Sequence, residues 1–122
     1  MLAAALAVTA LGLAAGVLTA SPAHATPPAG VTTKILGRGT TGWHAHPGPA
    51  LVIVTTGSVT KYSAQDSTAH TYTAGQAFVE NGPTDENMIR NDGPVPAETI
   101  VTFITPPGAP IRGDAPPPGY NP

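Results

Sequence analysis

From Val31 to Thr105 the chain runs as short apolar or β-branched segments between Gly-, Pro- and Asn-containing breaks, and no window shows the 3.6-residue period of an amphipathic helix. That pattern predicts an all-β protein. Strands are expected near Val31–Leu36, Gly42–His46, Ala50–Thr56, Val59–Tyr62, His70–Thr73, Gln76–Glu80, Asn87–Asn91 and Ala97–Thr105. Gly57-Ser58 reads as a tight hairpin, and Asn81-Gly82-Pro83 and Asn91-Asp92-Gly93-Pro94 read as loops built on residues that tolerate positive φ. Eight short strands in so little chain suggest a double-sheet jelly roll or barrel. By alternation, Val52, Val54, Val101 and Phe103 point into its core.

Composition narrows the reading. With 14 Gly and 15 Pro, disorder is the rival interpretation, but runs such as Ala50–Thr56 and Thr99–Ile104 carry enough β-branched apolar surface to demand burial. Charged residues are only 10% of the chain, and five Lys+Arg against seven Asp+Glu leave a net charge of -2. No basic surface for a phosphate backbone is available, so nucleic acid is not an expected partner. The chain has no cysteine, which removes disulfides, thiol nucleophiles and thiolate metal sites. At 122 residues there is room for one domain.

The two ends differ from the middle. Leu2–Leu18 is almost wholly Ala, Leu, Val and Gly and leads to Ala23-His24-Ala25, an Ala-x-Ala pattern. The run is short for a membrane span and fits a signal peptide over 1–25 cleaved after Ala25, although no Lys or Arg precedes Lys34. The expected product is secreted or associated with the cell envelope, and free of membrane once the signal is gone. Residues 26–30 form a flexible lead-in, 31–105 the barrel and 106–122 a Pro-rich tail. The tail is not expected to form a strand; it lies extended over the barrel or stays mobile, with Ile111 and Tyr120 as its sizeable apolar anchors.

Chemistry concentrates at Gly42-Trp43-His44-Ala45-His46-Pro47-Gly48. On a strand, His44 and His46 share a face with roughly 6–7 Å between their Cα atoms, close enough for both imidazoles to reach one metal ion. Two surface or half-buried histidines on a Gly-rich strand are the plainer alternative. Trp43 either walls a pocket or is ordinary core. Glu80, at the end of an apolar strand, is either a third ligand or general base at the barrel mouth, or a solvated strand-end carboxylate. His70 reads as a partly exposed sheet residue, Asp85 and Glu86 as solvated loop carboxylates, and Lys34 and Lys61 as surface cations. No Gly-x-Ser-x-Gly elbow or phosphate-binding Gly loop is present.

The stretch from Gly39 through His44-x-His46 to Gly57 resembles the first motif of the cupins, and Gly75-Gln76-Ala77-Phe78-Val79-Glu80 running on to Asn91 is similar to the second. Together they span Val31–Thr105, and the phrasing around Trp43 and Gly75 resembles small exported cupins of actinobacteria. The resemblance implies an RmlC-like double-stranded β-helix. It implies a site for a divalent transition metal (Fe, Mn, Zn or Ni) and, for an enzyme, metal-assisted oxidation or isomerisation as in dioxygenases and isomerases. The departures matter. Where metal-binding cupins carry a Glu shortly after the His pair, this chain has Ala50 and Leu51, and the slot for a third His holds Asn87. Related exported cupins carry cysteines where this chain has Ser67-Thr68 and Tyr120-Asn121, which implies a looser tail. The expected set is therefore His44, His46 and Asn87 with Trp43 and Glu80 in the pocket, holding a metal weakly. The alternative is a metal-free barrel that binds a small molecule or serves a structural role. The resemblance implies that such barrels often pair, and exposed strand edges give a physical reason for a homodimer, with the oligomeric state left open.

Overall fold

In the computed structural model, which describes residues 30–35 and 39–122, nine strands form two antiparallel sheets. The strands are β1 (Gly30–Ile35), β2 (His44–Ala45), β3 (Ala50–Thr56), β4 (Ser58–Ser63), β5 (Ala69–Thr73), β6 (Ala77–Glu80), β7 (Asn87–Arg90), β8 (Ala97–Phe103) and β9 (Gly113–Asp114). One sheet has the order β1-β8-β3-β6 and the other β5-β4-β7-β2-β9. The expected signal segment 1–25 and the expected lead-in up to residue 29 lie outside the described residues. Among the described residues no helix is long and apolar enough to cross a membrane.

Period-two alternation builds the core. On β3, Ala50, Val52 and Val54 are buried while Leu51 and Ile53 face outward. On β8, Ala97, Thr99 and Val101 turn in and Ile100 turns out. These residues meet Val59 of β4, Phe78 of β6 and Ile89 of β7 in one apolar cluster, against which Phe103 and Tyr72 pack. Tyr72 and Phe78 stack with ring centroids 4.5 Å apart, joining β5 of one sheet to β6 of the other. Each buried Val contributes about 2 kcal/mol of transfer free energy, so the inward rows hold the sheets face to face.

Two expectations change. Gly57 does not turn a hairpin: β3 pairs with β6 and β8, whereas β4 pairs with β5 and β7, so the chain crosses here from one sheet to the other. Gly57 has φ 72°, and a Cβ there would stand 2.8 Å from the Pro96 carbonyl oxygen and 2.9 Å from Ala97 Cα. The crossing needs both the left-handed backbone and the missing side chain. The tail does contain a strand. β9 pairs with β2, matching His44 to Asp114 and Ala45 to Gly113, and the Ala115 amide donates to the Trp43 carbonyl at 3.0 Å. Arg112 donates to the Thr41 carbonyl at 3.1 Å, and the Tyr120 hydroxyl donates to the Ser63 carbonyl. Residues 111–120 thus form a strap that runs from the edge of the second sheet at β9 to the end of β4 at Ser63.

Candidate metal centre

β2 lies between β7 and β9; His44 on it and His46 just past its end both turn inward, 3% and 5% exposed. Their rings meet edge to face with centroids 4.9 Å apart. Each imidazole is fixed through Nδ1. His44 Nδ1 lies 2.9 Å from the Gly42 carbonyl oxygen, and His46 Nδ1 bonds the Ile111 carbonyl of the strap. Because a carbonyl only accepts, both Nδ1 atoms carry a proton, and both Nε2 atoms, each able to hold a second proton or to ligate a metal, face the opposite way.

They face Glu80. Its Oε1 is 3.3 Å from His44 Nε2 and 2.9 Å from His46 Nε2. Glu80 closes β6, in the other sheet, directly across the pairing register from Ala50. Both side chains point inward and are buried, and the small Ala50 leaves the carboxylate its space. Glu80 thus stands directly across the register from the slot in which the cupin pattern places a Glu. The solvated reading of Glu80 is corrected, since only 3% of the residue is exposed. Burial alone would raise its pKa, but hydrogen bonds from His44 and His46 and their charge outweigh burial and hold it down at about 2. Burial likewise works to lower the His46 pKa, and the bonds to Glu80 and Ile111 overcome it, leaving it above the ordinary 6.5.

Asn87 is brought to this cluster as the register partner of His44 on β7. It turns its amide nitrogen, not its oxygen, toward the shared point: Nδ2 donates to Glu80 Oε1 at 3.3 Å and to the Asp85 carbonyl at 2.8 Å. Asn87 thus donates to the carboxylate that converges with the two imidazoles and offers that point no oxygen in this arrangement. Its Oδ1 is buried without a hydrogen-bond partner. Trp43 does not wall the cavity; its ring packs edge-on against Tyr120 of the strap with centroids 6.0 Å apart. Asp85 and Lys61, expected as solvated charges, form a mostly buried pair at 3.0 Å, and Asp85 also accepts from the Asn81 amide at 2.7 Å. That pair pins the β6–β7 loop, which joins Glu80 to Asn87. His70 is exposed on β5, away from the site.

His44, His46 and Glu80 each offer a ligand atom within 4.8 Å of the others, a spread that one ion with bonds of about 2 Å can bridge. They open on a cavity of about 200 Å³, with Val52, Ile89, Val101, Phe103 and Ile111 as apolar wall and Thr41, Thr99 and Arg112 as polar groups. Sequence reasoning missed the strap residues Ile111 and Arg112 as parts of the site. A Pro-rich segment carries no pattern that marks it as packed, and a backbone carbonyl contact leaves no residue-type signal.

The architecture is that of an all-β, double-stranded β-helix with the cupin fold, carrying a buried two-His, one-Glu cluster that could hold a metal. Among solved structures, the chain is similar to a cupin-like protein of Thermotoga maritima, with TM-score 0.56 at 16% identity over 70% of this chain and 62% of that one. It is also similar to a cupin 2 conserved barrel domain protein of Salinispora arenicola, with TM-score 0.55 at 18% identity over 62% of this chain and 61% of that one. A third likeness is to a double-stranded β-helix domain protein of Klebsiella pneumoniae, with TM-score 0.52 at 18% identity over 62% of this chain and 67% of that one. The chain thus spans just over three fifths of the length of the first two. No protein-family model matches the sequence, and no curated protein matches it.

Proposed function

We propose that this protein is an exported cupin barrel that holds a divalent transition metal on His44, His46 and Glu80 and presents it to a small molecule in the adjoining cavity. One observation carries the reading: two imidazoles whose Nδ1 protons are committed to carbonyls aim their Nε2 atoms at the same carboxylate oxygen. Three electron-rich atoms converging without a cation repel one another, so the arrangement asks for a positive charge among them. Two nitrogens and one carboxylate oxygen suit Fe, Mn, Zn or Ni better than a hard cation such as calcium. Bound there with open positions, such a metal supplies a Lewis acid. The chain's own residues then do the rest: the Gly42 and Ile111 carbonyls orient the imidazoles, Asn87 aims the carboxylate, and the apolar wall keeps bulk water away. Export with cleavage after Ala25 and pairing of two copies belong to the same proposal; the N-terminus of the secreted chain and its sedimentation behaviour check them.

Thermal unfolding with each divalent metal tests the site. A bound metal raises the melting temperature in a concentration-dependent way, and the effect should vanish in Glu80→Gln and His46→Ala. A second reading rests on the raised proton affinity of His46: a proton shared between His46 and Glu80 satisfies the cluster, and the barrel binds its small molecule without metal. Equal melting temperatures with and without every metal would favour it.

A further inference from the structure

We infer that the cavity takes a small organic monoanion, its acid group held by Arg112 of the strap and its apolar body lying against Val101, Phe103 and Ile111. The inference deepens the reading above and rests on it for treating the cavity as a ligand site. Among the described residues the lining has two carriers of permanent charge, Glu80 and Arg112, and Glu80 is committed to the two histidines. Arg112 is thus the one charge left to meet a ligand, and it belongs to the same cavity as His46.

Its present contacts prepare it for that role. Nη1 is anchored on the Thr41 carbonyl at 3.1 Å, which fixes the guanidinium plane, while Nη2 is paired at 2.6 Å with Asp114. The Asp114 side chain is 88% exposed, so the pair is weak and screened, and a ligand carboxylate inside the less polar cavity can replace it. A guanidinium fork held at one end suits the two oxygens of a carboxylate. The cavity, at about 200 Å³, is smaller than pockets that enclose drug-sized ligands, which limits the body to a single ring or a short branched chain.

Benzoate and its neutral isostere benzamide distinguish the charge from the shape. Calorimetric titration of the full chain, with and without zinc(II), should show benzoate binding at least tenfold tighter than benzamide. Arg112→Gln should abolish that preference, and Arg112→Lys should restore part of it. Asp114→Asn, which removes the competing carboxylate, should tighten benzoate several-fold, and it decides the matter if Arg112→Gln fails to fold. Equal affinity for benzoate and benzamide, or a benzoate affinity indifferent to both Arg112→Gln and Asp114→Asn, overturns the inference. The metal reading fails separately: Arg112-dependent benzoate binding by a protein that takes up no zinc keeps the monoanion site and ends the metal centre. Zinc uptake on His44, His46 and Glu80 without such binding does the reverse.

Discussion

A carboxylate 3% exposed stays ionised only if its surroundings replace water, and around Glu80 that duty falls on His44, His46 and Asn87. The pH dependence of the metal-free protein follows. The Glu80 pKa is lowered from 4.5 to about 2, so its stabilisation is complete above about 4.5 and is lost as pH falls toward 2. The His46 pKa is raised, so its stabilisation is complete below 6.5 and is lost as pH climbs through the elevated folded value. The two shifts describe one interaction and count once, on the order of 3 kcal/mol. Metal-free protein should therefore be most stable between about pH 4.5 and 6.5, and Glu80→Gln should flatten the profile; denaturant midpoints across pH check this. Metal affinity has the opposite trend, rising with pH as the His46 proton leaves. Asn87→Ala removes the donor that aims Glu80 and should weaken metal binding about tenfold, with the ligands intact. A chelator-competition titration reads the change, and affinity equal to wild type would show that Asn87 only fills space.

At the scale of elements, the strap and the sheet crossing matter most. Ending the chain after Pro110 removes the Ile111 carbonyl that fixes His46 and the β9 pairing that covers β2. Metal affinity should drop about 10- to 100-fold, and the His46 ring nitrogens should lose their single-tautomer signature in nitrogen NMR. Gly57→Ala places a methyl group against Pro96 and Ala97 in a left-handed backbone, and should cost about 2–4 kcal/mol by denaturant unfolding. The strands themselves were legible: alternation in Ala50–Thr56 and Ala97–Phe103 marks the buried rows, and the breaks fall where Gly and Asn stand. The connection at Gly57 was not, because a Gly between two β segments looks the same whether the chain returns within its sheet or bends into the other. β9 left no trace because its pairing comes from the backbone of a two-residue segment with no apolar side chain.

For the whole molecule, the site exists only where the sheets face each other. The histidines come from β2 and the residue just after it in one sheet and Glu80 from β6 in the other, so neither sheet alone holds the set. This explains how far the site could be read from sequence. His44 and His46 are two positions apart on one strand and show as a pair, whereas Glu80 is joined to them through the register of β3 with β6 and the packing of the sheets. Spacing carries no such information, and Ala50, which stands where the cupin pattern places a Glu, is the register partner of Glu80. The same dependence makes assembly of the barrel and formation of the site one event, so metal should protect the whole chain from unfolding and not just the β2 segment.

The most direct measurement is the transition-metal content, by mass spectrometry, of the purified protein beside His44→Ala/His46→Ala and Glu80→Gln, each loaded with metal and dialysed. Near one metal per chain in the wild type, lost in the double variant and sharply reduced in Glu80→Gln, is the expected result. A wild-type protein that retains no metal after loading, or one whose metal survives in both variants, would contradict a centre built on His44, His46 and Glu80.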